Sequence, residues 1–560
     1  MRTAYSVETV RAAERELMAR LPDGVLMQRA AAGLAAVCAG LLRRVYGARV
    51  VLLVGSGDNG GDALHAGARL AGRGAGVTAV LLAPDRAHPG GLAALLAAGG
   101  RSVPAGGAEP LVRRADLVVD GIVGIGGKGG LREAALPLVE AARAARAATI
   151  VAVDLPSGVD ADTGEVRGDA VTADVTVTFG AYKPGLLIDP ARERAGALRL
   201  VDIGLRLPPV PEVEALQHAD VARLLPRPAA ESDKYRRGVL GVVAGSARYP
   251  GAAVLAVAGA LRGGAGAVRY VGPGADAVIA RFPEALVSAG PPAKAGRVQA
   301  WVVGPGLGDG AEARQQVAEV IASDVPVLID ADGLRLLEPD ALRGRTAPTV
   351  ITPHAGEAAS LLGVSRDEVE SARLASVRAL AERFGVTALL KGSTTLVADG
   401  GAGGAVGVEG AGGAGSAGGA GGAGSAGGTG GAGGAGSAGS AGGAEDAGST
   451  GSAGGAEGAG GAGSAGSAGG AEGADRAEGA RAVRVNPTGT GWLATAGSGD
   501  VLSGLTGSLL AAGLAARDAA SVGAYLHGLA ARRTVGSPGA PITAYGVAEA
   551  LGDAWREVGG

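Results

Sequence analysis

The chain has 560 residues, a formal net charge of −3 and a single cysteine. That length exceeds one ordinary domain at roughly 150 residues apiece, and the near-neutral charge gives no field favouring nucleic acid or an anionic membrane. Cys38 alone excludes an internal disulfide framework and a Cys-cluster zinc site, and an aromatic content of 2% argues against base-stacking platforms.

Residues 1–45 predict two helices with charged and apolar residues at helical spacing and no secretory hydrophobic core. The apolar run Ala30–Leu42, flanked by Arg29 and Arg43, is shorter than the ~20 residues a bilayer demands. Cys38 in that run reads as a buried structural thiol, and a soluble cytoplasmic chain is expected. A buried strand over 48–54 leads into the glycine loop 55–61 and a helix predicted to start near Asp62 or Ala63. Further apolar strands follow at 77–83, 115–124, 148–158, 173–187 and 197–204, with helical segments between the earlier ones. Short continuous apolar runs of this kind indicate a parallel sheet covered on both faces. The proline cluster at 205–214 reads as a linker, so a first α/β domain of Rossmann-like, three-layer type is expected over 1–212.

The second α/β domain is placed at 213–560, with strands at 238–246, 267–273, 300–306, 326–332, 349–354 and 387–398. Residues 400–480 are nearly all Gly, Ala and Ser with scattered acids. Such a tract cannot bury enough apolar surface to offset chain entropy and is expected to be disordered. It separates the strand ending near Ala398 from RAVRVNPTG at 481–489, so it reads as an insertion at a hairpin tip. Loop closure cost grows only logarithmically with length, so a domain tolerates that insertion.

The chemistry-bearing residues of the first half cluster at strand ends. Gly55–Ala63 leads from a strand to a helix N-terminus, where glycines let backbone N–H groups approach a phosphate. It matches neither the dinucleotide G-x-G-x-x-G pattern nor a Walker A loop. Asp120 ends the next strand before a glycine loop, and Asp154 and Ser157 end the one after. Ligands of open parallel sheets bind at the carboxyl ends of strands, so Asn59, Asp120, Asp154 and Ser157 are expected to share one pocket. Oxygen donors without His or Cys suit a hard cation or a polar substrate. Lys183 reads either as a phosphate-neutralising cation or as a solvated strand-end lysine.

This set resembles the NAD(P)HX epimerase family, the YjeF N-terminal domain, over essentially residues 1–205, from AYSVETVRAAE through GSGDNGGDA to FGAYKPGLL. The resemblance implies that Asp58, Asn59, Gly60, Gly61 and Asp62 hold the hydrated cofactor together with the loop Gly124, Ile125, Gly126, Gly127, Lys128, Gly129 and Gly130. It implies a potassium ion on Asn59, Asp120 and Ser157, with Asp154 contacting substrate as the acid/base group. Asp58, Ala63, Ile125 and Gly130 depart from the family pattern.

In the second half, TAGSGDVLSG at 495–504 sets a glycine turn at the start of an apolar helix with Asp500 in its first turn. The turn's N–H groups can bind phosphate and Asp500 can accept a hydroxyl proton, although an acid there also serves as a cap. With GPGLG (304–308), DADGL (330–334), TPHAGE (352–357), LLKGSTT (389–395), NPTGTG (486–491) and YLHGLA (525–530), this half resembles the ribokinase-like superfamily and, within it, the ADP/ATP-dependent NAD(P)HX dehydratases. The resemblance implies that Ala252, Gly306, His354 and Asp500 contact the hydrated cofactor, with Asp500 as the catalytic base. Lys391, Gly392, Ser393, Thr394, Thr395 and Gly499 would bind the adenine nucleotide, ADP with Mg2+. His354 reads alternatively as a structural hydrogen-bonding histidine, and Asp233 stands where the family commonly has His. The expected partners are hydrated NADH or NADPH and ADP, with no nucleic acid and no membrane, in a homo-oligomer. The rival reading is a ribokinase-like small-molecule kinase with a non-catalytic N-terminal nucleotide-binding module.

Overall fold

The computed structural model describes residues 1–288, 290–338, 340–400, 482–537 and 539–559. The strands in chain order are β1 (Arg2–Ala4), β2 (Arg49–Val54), β3 (Gly76–Leu81), β4 (Arg101–Pro104), β5 (Leu117–Gly121), β6 (Thr149–Val153), β7 (Val175–Phe179), β8 (Ala197–Val201), β9 (Val213–Ala215), β10 (Val239–Val243), β11 (Ala267–Val271), β12 (Leu286–Ser288), β13 (Ala300–Val303), β14 (Val327–Ile329), β15 (Thr349–Ile351), β16 (Thr387–Leu390), β17 (Thr395–Asp399) and β18 (Val483–Asn486). Two sheets result among the described residues. One is parallel throughout, in the order β4-β3-β2-β5-β6-β7-β8. The other runs β1-β9-β18-β17-β16-β15-β14-β13-β10-β11-β12 and is parallel from β16 to β12.

Both sheets are covered on two faces, which is why their strands read as unbroken apolar runs. In β2, Val50, Leu52 and Val54 enter one core and Val51 and Leu53 the other. In β10, Leu240 and Val242 face one core while Val239 and Val243 face the opposite one. Strand order reverses between β2 and β5 in the first sheet and between β10 and β13 in the second. Each reversal opens a crevice at the strands' carboxyl ends, and the glycine-rich segments 55–61, 121–130, 244–251 and 304–308 all leave strands that border these two crevices.

Several expected boundaries shift. The helix after β2 is Asp58–Ala71, one turn earlier than the glycine content suggests. Gly60 belongs inside it because a Cβ there would come within 2.6 Å of the Gly55 carbonyl oxygen, so the turn is glycine-rich to pack closely, not to stay irregular. The strand expected at 387–398 is two antiparallel strands, β16 and β17, turning at Lys391–Thr394. The end of the expected linker forms β9, and the N-terminal strand β1 pairs antiparallel with it. Residues 2–4 therefore lie in the sheet of the second half, and Ala4, Leu187 and Ile188 enter that half's hydrophobic core.

β17 and β18 pair antiparallel with Leu396 opposite Val485. The glycine-rich tract thus joins neighbouring strands of one sheet, as a hairpin insertion requires; residues 401–481 themselves lie outside the described residues. Cys38 is buried, and burial pushes its thiol up to about 12, as expected for a structural cysteine. Among the described residues no helix is long and apolar enough to cross a membrane.

The helix with Asp500 in its first turn, Ser498–Ala511, is buried from Val501 to its end, and a helix apolar on all sides is a core element. It lies against helix Pro250–Arg262 with backbones in close approach. A Cβ on Gly504 would meet the Ala256 oxygen at 1.9 Å, and one on Gly259 would meet the Val501 oxygen at 2.2 Å.

Candidate active sites

In the first crevice, Asp120 ends β5 fully buried. Its Oδ1 accepts the Ser157 hydroxyl at 2.7 Å and its Oδ2 accepts the Ser157 N–H at 2.8 Å. Burial pushes this carboxyl up to about 6, against the Ser157 and Ile122 hydrogen bonds that favour the anion. Among the described residues no basic side chain pairs with it. The Ser157 hydroxyl also reaches the 121–124 segment, lying 3.1 Å from the Val123 carbonyl oxygen and accepting the Val123 N–H at 3.0 Å. Asn59 adjoins the same segment, because a Cβ on Gly124 would sit 2.8 Å from its Oδ1. The Asn59 amide nitrogen is buried with no partner. The Asp120 carboxyl, the Ser157 hydroxyl and the Asn59 amide oxygen are hard oxygen donors of the kind a monovalent cation takes, whereas the unpartnered Asn59 amide nitrogen is a donor that calls for an acceptor.

Asp154 follows β6 in the left-handed region, φ +65°, a conformation that costs a non-glycine residue about 1–3 kcal/mol and persists only when its surroundings enforce it. Three contacts do so, all on Oδ1: Lys183 Nζ at 2.5 Å, the Thr178 hydroxyl at 3.0 Å and the Phe179 N–H at 3.3 Å. Lys183 is 1% exposed and also donates to the Thr178 hydroxyl and the Phe179 carbonyl. Neither expectation for Lys183 survives: it is not solvated, and its charge is committed to Asp154 inside the protein.

Asp62 is buried with Oδ1 unpartnered. Burial, then the charges of Asp154, Asp58 and Glu14, hold its carboxyl well above the aspartate range. Glu14, half-buried on helix Val7–Met18, is raised too, by burial against the opposing pull of Lys183; the sequence pattern marked it only as a helix-face residue. In the 124–130 loop, Ile125 packs against buried residues of the first half, whereas Lys128 is exposed.

In the second crevice the centre is Asp330, buried at the end of β14. Its Oδ1 accepts Lys391 Nζ at 2.7 Å and its Oδ2 accepts the Ser503 hydroxyl at 2.6 Å. Glu357 lies 3.8 Å from the same lysine. Burial disfavours the Lys391 ammonium, but Asp330, Glu357 and Asp500 outweigh it and raise its pKa. Gly499 caps this pair, since a Cβ there would stand 3.5 Å from Lys391 Nζ and 3.8 Å from Asp330 Oδ2. Beside it, Asp500 is pushed up to about 7 by burial and then by the Asp330 charge, with Lys391 pulling it down. A carboxyl near neutrality beside a fixed ammonium, at the N-terminus of a buried helix, is suited to take a proton where negative charge gathers.

Ala252 and Gly306 converge from opposite sides of the strand-order reversal, with a Gly306 Cβ falling 2.6 Å from that of Ala252. His354 divides its roles. Nδ1 accepts the Gly356 and Glu357 N–H groups at 3.0 and 3.2 Å and caps helix Ala355–Leu362. The side chain is 60% exposed, and its Nε2 is 3.5 Å from Glu357. In the Lys391–Thr395 segment, Gly392 and Ser393 are exposed, but Thr394 is fully buried, its hydroxyl accepting the Asp189 N–H at 3.3 Å. Within NPTGTG, Asn486 and Thr488 bind the carbonyls of Ala524 and Tyr525 and pin the end of β18 to helix Ala516–Val535. His527 on that helix is buried with Nε2 unpartnered; burial holds it down to about 4 and hence neutral.

Two family models match the chain: the YjeF-related protein N-terminus over residues 23–185 and the NAD(P)H-hydrate dehydratase over 240–431 and 477–551. The bifunctional NAD(P)H-hydrate repair enzyme Nnr of Mycobacterium leprae is 43% identical over 548 residues, 96% of this chain and 95% of that protein. Its Mycobacterium tuberculosis counterpart is 42% identical over 93% of this chain and 92% of that protein. The chain belongs to the bifunctional NAD(P)H-hydrate repair enzymes. Among solved structures, the ADP/ATP-dependent NAD(P)H-hydrate dehydratase of Bacillus subtilis, co-crystallised with ATP and Mg2+, covers 61% of this chain and 97% of its own at 23% identity and a TM-score of 0.44. Within this repair-enzyme chain the two matched families fall on the two crevices. Asp330, Glu357 and Glu14 are crevice residues that sequence reading missed, and Lys183 is one it named without its partner Asp154. DADGL and TPHAGE contain two of them, but only the fold shows which of their acids turns toward Lys391.

Proposed function

We propose that this chain restores hydrated NADH and NADPH, epimerising the hydrate at C6 in its first crevice and dehydrating the S form in its second. The observation that carries the reading is Asp500, near neutral pKa, above the Asp330–Lys391 pair at the start of a buried helix. Asp500 takes the proton of the C6 hydroxyl as that oxygen attacks the terminal phosphoryl group of ADP and AMP leaves. The N–H groups at Gly497–Asp500 and the Lys391 ammonium hold the transferring charge. Loss of the C5 proton and of phosphate from C6 then restores the dihydronicotinamide. Ala252, Gly306 and the free edge of His354 border the hydrated ring, while Lys391–Thr395 and Gly499 hold the nucleotide, Thr394 through its backbone.

No group of three or more His, Cys, Asp or Glu among the described residues is placed to hold a metal alone. Magnesium needs only one or two carboxylates beside phosphate oxygens; Glu357 would share such an ion, which would neutralise phosphate charge.

In the first crevice Asn59, Asp120 and Ser157 would hold potassium, whose charge offsets the Asp120 carboxylate. Inverting C6 requires a proton to leave and rejoin its oxygen, whether the C6–O bond or the ring opens. Asp154, paired with Lys183 and with no donor on Oδ2 among the described residues, is the base; Asp62, whose carboxyl is pushed up by burial and then by the charges of Asp154, Asp58 and Glu14, is the complementary acid. Asp58–Asp62 and the 124–130 loop enclose the rest of the cofactor.

The test supplies the purified chain with both epimers of hydrated NADH, ADP and magnesium, and follows recovery of NADH absorbance. Full recovery with AMP and phosphate released supports both activities. Recovery of one epimer alone would eliminate the epimerase assignment. No recovery with ADP or ATP would overturn the reading in favour of a kinase.

A further inference from the structure

The turn between β16 and β17 is held from behind by two buried charges from opposite halves of the chain. Arg373, on helix Arg373–Phe384, is buried, and its Nη2 donates to the carbonyls of Thr394 at 2.8 Å, Lys391 at 3.2 Å and Leu390 at 3.4 Å. One guanidinium nitrogen therefore gathers both ends of the turn, and a Cβ on Gly392 would stand 2.3 Å from it. The Nε of Arg373 is buried and donates to nothing among the described residues.

Opposing it in charge is Asp189, from the segment after β7. Its N–H donates to the Thr394 hydroxyl, and both its carboxylate oxygens are buried without a hydrogen-bond partner. Asp189 and Arg373 form no direct ion pair among the described residues; they meet at Thr394, whose hydroxyl accepts the Asp189 N–H and whose carbonyl accepts Arg373 Nη2. Burial pulls the Arg373 pKa down, and Asp189 is the first charge that opposes it, ahead of Glu370. Leu187 and Ile188, next to Asp189 in the chain, are embedded in the second half's core, so Asp189 cannot withdraw without opening that core.

We propose that Asp189 is a positioning residue for the dehydratase site: it fixes Arg373, and through Arg373 the Lys391–Thr395 turn, so that the first half of the chain sets the nucleotide affinity of the second. The inference rests on the assignment of that turn to the nucleotide.

The experiment measures KM for ADP and kcat for the S hydrate in the full chain carrying Asp189→Asn, Arg373→Met, or both, with epimerase activity in the same samples as the report of an intact fold. Couplings between sites typically span about 5- to 150-fold, and Asp189→Asn is expected to raise KM for ADP at least about five-fold with a smaller change in kcat. If Asp189 acts through Arg373, the double variant is no worse than Arg373→Met alone. An unchanged KM in Asp189→Asn, or a double variant equal to the product of the singles, overturns the proposal. Should Asp189→Asn not fold, Arg373→Lys keeps the charge and loses the planar fork; a raised KM supports the proposal and an unchanged one overturns it. Lys391→Met and Ser393→Ala separate the two levels. If both leave KM for ADP unchanged, the nucleotide assignment falls and the proposal with it; if they raise it while Asp189→Asn does not, only the proposal fails.

Discussion

Replacing Asp500 by Asn sets its catalytic use against its structural cost. An ordinary aspartate titrates at 3.8 and this one at about 7. The folded state therefore binds the proton more tightly than the unfolded chain does. The favourable contribution is complete below 3.8, fades as the pH rises and is gone above 7. At ~1.4 kcal/mol per pH unit the gap is worth at most ~4 kcal/mol, and the polar amide of Asn recovers only part of it, about 1–3 kcal/mol. Asp500→Asn should thus be more stable than the parent at pH 8, with little gain at pH 4. At about 2–4 °C per kcal/mol for a domain of this size, the difference in Tm should grow by roughly 2–12 °C between those pH values. The same variant should lose about 10²–10⁴-fold in dehydratase rate, and the parent's kcat/KM should fall tenfold per unit below pH 7 as Asp500 protonates. Calorimetry at pH 4, 6 and 8 and a pH–rate profile read both effects. A Tm difference independent of pH, or a flat profile between about pH 5.5 and 7.5, would refute the assignment of Asp500 as a buried base.

Lys183→Met leaves the Asp154 carboxylate buried without its cation, a loss of about 3–5 kcal/mol. Epimerisation, followed by chromatography of the two hydrates, should disappear while dehydration of pure S hydrate continues. Gly504→Ala puts a methyl within 1.9 Å of the Ala256 carbonyl and should cost about 1–3 kcal/mol or more in urea unfolding, with dehydratase activity falling as the helix that carries Asp500 shifts. Replacing residues 402–480 by a short turn should leave both activities intact, because β17 and β18 already pair; loss of folding would contradict the hairpin insertion.

The parts of this molecule legible in its sequence are those set by local pattern: apolar runs for buried strands, glycine turns at strand ends, an acid opening a buried helix. What could not be read was set by residues distant in the chain. Lys183 looks like any strand-end lysine until the chain folds Asp154 and the Thr178 hydroxyl against it. Thr394 sits in an apparently uniform polar loop, yet the turn between β16 and β17 places its hydroxyl beneath the first half's Asp189. β1 gives almost no signal of its own at three residues, because its partner β9 lies two hundred residues on, within a proline-rich stretch that reads as a linker. The Thr394 and β1 failures share one cause: both fall where the two halves meet, so residues that look like the trailing edge of one domain are structural members of the other. A cut at 212/213 would therefore remove β1, Leu187, Ile188 and Asp189 from the second sheet's edge, its core and the turn between β16 and β17. The sequence motifs divide cleanly at that point; the packing that positions them does not.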